Sequence, residues 1–158
     1  TDASDVGDGL KSMAIAMIAA NTTGTNGLVR HEAGGHGFGR LADEYNWGGE
    51  ADDARKSSLL EQQEKYGFYL NVTADTDGDS PWAHFIGLEG YDEVGYFEGA
   101  WGCSKGLYRP TVNSIMLNNQ GEFNAPSREL IFKRIILQSE GAGSYTFDRF
   151  LEYDRKNL

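Results

Sequence analysis

One cysteine, three prolines and three histidines stand among 158 residues. The lone Cys103 excludes an intrachain disulfide and a cysteine-built zinc module. No apolar run reaches membrane-spanning length, so no transmembrane helix and no membrane partner are expected. Basic runs are missing too. With 14 Lys and Arg against 24 Asp and Glu, the net charge is −10, which argues against nucleic acid and anionic lipid as partners. No signal-peptide pattern follows Thr1, and the chain reads as starting at a cut boundary. What is present is the composition of a folded chain, 39% hydrophobic and 12% aromatic, with room for a single core.

Two of the three histidines flank a glutamate in His31-Glu32-Ala33-Gly34-Gly35-His36. The pattern resembles the H-E-x-x-H helix, in which two imidazoles at i and i+4 bind a metal and the glutamate acts as general base. Here the second histidine falls at i+5, about 140° around a regular α-helix from the first. One inserted residue is a defect that a π-bulge absorbs, and such bulges recur at functional sites. Gly34 and Gly35 stand where that distortion is expected, and glycine tolerates it best. Glycines at 34, 35, 37 and 39 each cost about 1 kcal/mol against alanine in a helix. A segment selected only for helix stability would not contain them, whereas a bound metal offsets such a cost.

Around this segment, the chain has no internal repeat and no long linker. Residues 12–19, Ser-Met-Ala-Ile-Ala-Met-Ile-Ala, alternate large and small and predict an edge strand. The site helix is expected from about Gly27 to about Ala42, and a second helix over 50–66. From Gly67 to Gln120, glycine, asparagine, aspartate and aromatics predict loops with short strands. Residues 126–138 form an amphipathic pattern with Pro126 in the first turn, and Ser144 is a candidate cap for a last helix through Tyr153. Asn21-Thr-Thr and Asn71-Val-Thr match the glycosylation tripeptide, a pattern common by chance. Asp75-Thr-Asp-Gly-Asp79 is dense enough in carboxylate to suggest Ca2+, but its spacing is not that of an EF-hand, and a solvated turn is the preferred reading.

The stretch His-Glu-Ala-Gly-Gly-His-Gly-Phe-Gly-Arg-Leu-Ala-Asp-Glu-Tyr (31–45) resembles the IgA-peptidase-like metallopeptidases, or igalysins, of the metzincin clan. The likeness extends through Asn71-Val-Thr, Pro81-Trp82, Val94-Gly-Tyr-Phe-Glu-Gly99, Gly106-Leu-Tyr-Arg-Pro110, Asn113-Ser-Ile-Met116 and Phe123-Asn-Ala-Pro-Ser-Arg128. It covers roughly residues 12 to 157. The resemblance implies an α+β, metzincin-like zinc-peptidase catalytic domain: a single, partial domain over 1–158. That part is mainly the helical C-terminal one, with an edge strand and short β and loop segments, and the upstream sheet is expected on a segment missing from the chain.

As the resemblance implies, His31 and His36 bind Zn2+ through imidazole nitrogen, and Glu32 takes the proton of the attacking water and passes it to the leaving amine. Metzincins end the helix at a glycine, matched by Gly39, before a third ligand. Ala42 stands where that ligand is usually a histidine. Asp43 is the choice for it, with Glu44, His84 and Glu98 as alternatives. Glu98 would complete the site as a distant glutamate does in the thermolysin-like clan, and His84 reads better as a satisfied histidine. Met116 resembles the Met-turn, which packs beneath the metal without binding it. Tyr108 is a candidate donor to the oxyanion.

The expected activity is that of a zinc endopeptidase acting on a polypeptide, secreted or at a cell surface, in a bacterium. The competing reading is a non-catalytic protein- or glycan-binding domain that keeps a structural zinc helix. Retention of Glu32 speaks against it, since a staple needs the histidines but not the base.

Overall fold

The computed structural model describes Ala16, Ile18 and Gly24 to Asn157. The edge strand expected over 12–19 lies outside the described residues except at Ala16 and Ile18, which carry no regular structure. The described elements are mixed helix and sheet, an α+β arrangement. A short helix α1 (Thr25–Val29) runs directly into a nine-residue π-helix (Arg30–Phe38). Then come α2 (Asp53–Tyr66), a 3-10 turn (Ala83–Phe85), strands β1 (Phe97–Ala100) and β2 (Cys103–Arg109), and helices α3 (Ile115–Asn118), α4 (Ala125–Glu140) and α5 (Phe147–Asn157). None of the described helices is long and apolar enough to cross a membrane.

Local chemistry explains the boundaries. Asp52 caps α2 by accepting from the Arg55 N–H at 2.8 Å, and Gly67 ends it in the left-handed region at φ 63°. The helix therefore starts at Asp53, three residues later than the pattern alone predicts. Asn124 caps α4 through the Ser127 N–H at 3.0 Å, with Pro126 in the first turn, where its missing N–H costs nothing. The cap expected at Ser144 falls instead to Thr146, whose hydroxyl accepts from the Arg149 N–H, so α5 begins at Phe147 and runs past Tyr153.

β1 and β2 are antiparallel, with Phe97 opposite Arg109, Glu98 opposite Tyr108 and Ala100 opposite Cys103. Trp101 and Gly102 both take positive φ, the turn that a two-residue hairpin requires. Flanking segments extend this small sheet through single bridges from Asn46 to Gly102, Glu50 to Lys105 and Thr73 to Tyr108. Leu107 packs with Ala42, Ala51, Leu59, Val72 and Ala100 beneath the hairpin. A second cluster gathers Trp82, Phe85, Tyr91, Val94, Ala125 and Phe150, where α5 meets α4. Arg128 fastens these two helices through a forked pair to Asp154 at 2.7 and 2.8 Å. The third cluster, Leu41, Ile115 and Met116 with Phe123, Leu130 and Ile131, is the floor under the π-helix.

Candidate metal centre

Instead of absorbing the inserted residue in one bulge, the chain winds all of Arg30 to Phe38 as π-helix. The i→i+5 hydrogen bonding of that winding brings His31 and His36 onto one face. Two glycines make the close approach possible. A Cβ on Gly35 would lie 2.3 Å from the Met116 Sδ, so any side chain there would have to push the buried thioether aside. A Cβ on Gly39 would lie 2.9 Å from the Gly35 carbonyl oxygen and 3.0 Å from Ile131 Cγ1. Gly39 is therefore needed for packing, not for a left-handed backbone: its φ is −73°, and the positive φ of 56° that turns the chain sits on Arg40. The helix expected to reach Ala42 thus ends at Phe38.

Beyond the turn, three consecutive residues are pinned. Ala42 exchanges hydrogen bonds with the Asn71 side chain at 2.7 and 2.9 Å. The Asp43 carbonyl accepts from Trp101 N–H at 3.0 Å, and the Glu44 N–H donates to the Met116 carbonyl at 2.9 Å. This sends the Asp43 side chain back to the histidines. Its Oδ1 lies 3.1 Å from His31 Nε2 and 3.0 Å from His36 Nε2, and the two Nε2 atoms are 3.1 Å apart.

The protonation pattern gives that triangle its meaning. His31 Nδ1 faces the Ile115 carbonyl at 2.8 Å and His36 Nδ1 faces the Leu41 carbonyl at 2.7 Å. A carbonyl only accepts, so each Nδ1 carries the proton and, in the neutral rings, each Nε2 presents a lone pair. Three acceptor atoms thus converge on one point, an arrangement that needs a cation between them. Either a proton or a metal ion supplies it. The edges of a tetrahedron with zinc–ligand bonds of about 2.0–2.1 Å are about 3.3–3.4 Å, so the set fits such an ion after opening by a few tenths of an ångström. Backbone carbonyls on the far nitrogens fix tautomer and orientation, as is common behind metal-binding histidines.

The charges agree. Burial works against the Asp43 carboxylate, but hydrogen bonds from His31 and His36 outweigh it and hold the carboxyl well below the usual carboxylate range. For His31, which is 3% exposed, burial disfavours the imidazolium. Its bond to Asp43, the Ile115 carbonyl and the charges of Asp43 and Glu32 more than offset that, so its pKa is raised. Glu32 is half-buried beside the triad, and its carboxylate takes no hydrogen-bond partner among the described residues.

The other candidates fall elsewhere. Glu44 is fully buried and spent on structure: Asn71 donates to Oε1, Ser114 to Oε2 and Asn124 to both. Burial, only partly countered by those donors, pushes its carboxyl up. His84 bonds Glu129 at 2.8 Å and packs against the rings of Phe85 and Phe147. Glu98 sits exposed on β1, accepting from the Gly106 N–H. Tyr108 lies half-buried on β2, with its N–H and carbonyl paired with Thr73 in the extended sheet.

Within 75–79, the Asp75 carboxylate accepts the Asp77 N–H at 2.7 Å, an Asx turn. Among the described residues, the one group able to hold a metal is His31, His36 and Asp43. Asn71 is fully buried with both amide hydrogens engaged, so its tripeptide is a structural clamp.

Two aromatic residues at the site were not singled out by the motif. Tyr45 hydrogen-bonds Asp43 and lies nearly parallel to His31, with ring centroids 6.4 Å apart. Trp47 stacks in turn on Tyr45 at 5.1 Å. Their signal was the tyrosine two residues after Asp43, followed by the tryptophan two further on. No protein-family model matches the chain, and no curated protein matches it.

Proposed function

We propose that the protein is a zinc-dependent endopeptidase, and that it belongs to a catalytic domain of metzincin type. The observation that carries this reading is the convergence of three lone-pair atoms from His31, His36 and Asp43, beside Glu32, whose carboxylate takes no hydrogen-bond partner among the described residues. Two imidazoles and one carboxylate suit zinc, and three protein ligands leave a coordination position open, the pattern of catalytic and not structural sites. A zinc ion held there supplies Lewis acidity and a nucleophile at neutral pH.

The chain's own residues do the rest. Ile115 and Leu41 carbonyls hold both imidazoles in the metal-ready tautomer. Asp43 supplies a carboxylate that stays ionised across the working range, steadied by the Tyr45 phenol. Glu32, with no partner in the described chain, is free to accept a proton from the attacking water and return it to the leaving amine. Met116 fills the floor beneath the histidines without offering a donor to the triad. The substrate on this reading is a polypeptide, and the setting a secreted or cell-surface one.

The test is Glu32→Gln in the full chain, with zinc measured by mass spectrometry and hydrolysis by a quenched-fluorescence peptide mixture. The expected result is zinc retained and hydrolysis lost. Hydrolysis that survives the substitution refutes the mechanism. A parent chain that holds zinc and cleaves nothing gives the rival reading, a protein- or glycan-binding domain stapled by the metal.

A further inference from the structure

An aromatic stack leads outward from the metal centre. It starts at His31, passes through Tyr45 and ends at Trp47, which is 72% exposed. No other large apolar side chain among the described residues is as exposed. Its backbone is fixed: Trp47 N–H donates to the Gly102 carbonyl at 3.1 Å, and Gly102 N–H donates to the Tyr45 carbonyl at 3.0 Å. Both bonds lie on one edge of the segment. The intervening Asn46 therefore turns its own N–H and carbonyl to the other side, where they find no partner among the described residues. Next to the indole, a Cβ on Gly48 or Gly49 would meet nothing within 4 Å, so the ground beside the ring is clear.

We propose that Tyr45 to Trp47 is a substrate subsite, in which an aromatic side chain of a polypeptide stacks on Trp47 while its backbone pairs with Asn46. This deepens the peptidase reading and rests on it for the identity of the ligand. A short unpaired edge three residues from Asp43 suits an extended peptide, whose main chain adds to a strand edge. The choice of side chain follows from the forces available. An aromatic ring on Trp47 removes apolar surface from water on both partners and adds ring–ring attraction. A cation over so exposed a face keeps most of its hydration and gains less. Tyr45 backs one face of the indole and is itself tied to Asp43, so the shelf is rigid before the ligand arrives.

The probes are blocked hexapeptides identical except for a central Phe, Ala or Arg, titrated into the full chain carrying Glu32→Gln and followed by indole fluorescence and calorimetry. The Phe peptide is expected to bind about tenfold or more tighter than the Ala peptide. Trp47→Ala removes that difference with zinc content and melting temperature unchanged, and Trp47→Phe keeps part of it. Equal affinities, preference for Arg, a Phe preference that survives Trp47→Ala, binding of chito-oligosaccharide alone, or no binding at millimolar peptide each overturn the proposal. The two readings fail separately. A parent chain that cleaves Phe and Ala peptides alike keeps the peptidase and loses the shelf. One that binds Phe through Trp47 and cleaves nothing keeps the shelf and loses the peptidase.

Discussion

Alanine at Gly35 and alanine at Gly34, neighbours in the same π-helix, should move stability in opposite directions. At Gly35 the new Cβ would stand 2.3 Å from the Met116 Sδ and 2.9 Å from its Cε. Ordinary contact is about 3.5–4.0 Å, so the thioether must retreat by more than an ångström. Met116 is fully buried among Leu41 and Ile115, with little space to retreat into. Overpacking of this kind costs about 1–3 kcal/mol, and the gain from replacing a helical glycine returns at most about 1 kcal/mol. At the middle of that range the net loss is about 1 kcal/mol, or a fall in Tm of about 2–4 °C for a chain this size. At Gly34 the same Cβ would meet Phe123 Cζ at 3.5 Å, an ordinary contact. There only the backbone gain remains, a rise in Tm of about 1–4 °C. Scanning calorimetry of the two zinc-free variants decides the matter. Gly35→Ala should recover stability when combined with Met116→Ala, relative to the sum of the single changes. Equal effects at the two glycines, or strict additivity with Met116→Ala, would refute the packing argument.

Zinc at a hundredfold excess over its dissociation constant should stabilise the parent chain by about 2.7 kcal/mol, raising Tm by about 5–11 °C. Asp43→Ala should abolish that rise, as read by differential scanning fluorimetry. Without zinc, the raised His31 pKa contributes stability below its ordinary value of 6.5 that is lost as pH climbs through the raised value. The lowered Asp43 pKa contributes above its ordinary 3.8 and is lost as pH falls. Zinc competes with the His31 proton, so Tm against pH should slope downward from 6.5 in the zinc-free chain while zinc affinity rises over the same range. Glu44→Ala removes the acceptor that Asn71, Ser114 and Asn124 share in the core and should cost about 3 kcal/mol or more, whereas Glu44→Gln keeps an acceptor for Asn71 and Asn124 and should cost less. Urea titration measures both.

Where sequence and structure agree, the cause is local. The helices α2 and α4 carry their own punctuation in Asp52, Gly67, Asn124 and Pro126, and their cores were visible as patterns before any fold was drawn. The histidine pair and the need for a distortion between them were equally legible, because the i+5 spacing is a geometric contradiction in an α-helix. Its extent was not. Whether one bulge or nine π-wound residues resolve the contradiction depends on what lies beneath, and that is Met116, eighty residues further along. The sheet position of Tyr108 was hidden for a similar reason. Its pairing to Thr73 in the sheet is long-range, and nothing within Leu-Tyr-Arg-Pro reveals it.

The choice between Asp43 and Glu44 shows most clearly how the fold makes a site. The two carboxylates are adjacent, and either has the chemistry to complete the triad. In an extended stretch, consecutive side chains point to opposite sides, so only one can reach the histidines, and the backbone decides which. The Asn71 clamp on Ala42, the Trp101 bond to Asp43 and the Met116 bond to Glu44 set that phase together. Glu44, turned inward, then gathers Asn71, Ser114 and Asn124 into one buried network that ties the segment after α2, the start of α3 and the start of α4 to the loop. A one-residue slip of the loop would carry Asp43 into that amide-lined pocket and present Glu44 to the histidines. The slip is opposed from both sides: Ala42 fits the apolar cluster under the hairpin, and the longer glutamate spans the distance to three donors. The same residue pair thus fixes the register of the loop and delivers a charge to the histidine pair, and neither task could be assigned to the other residue.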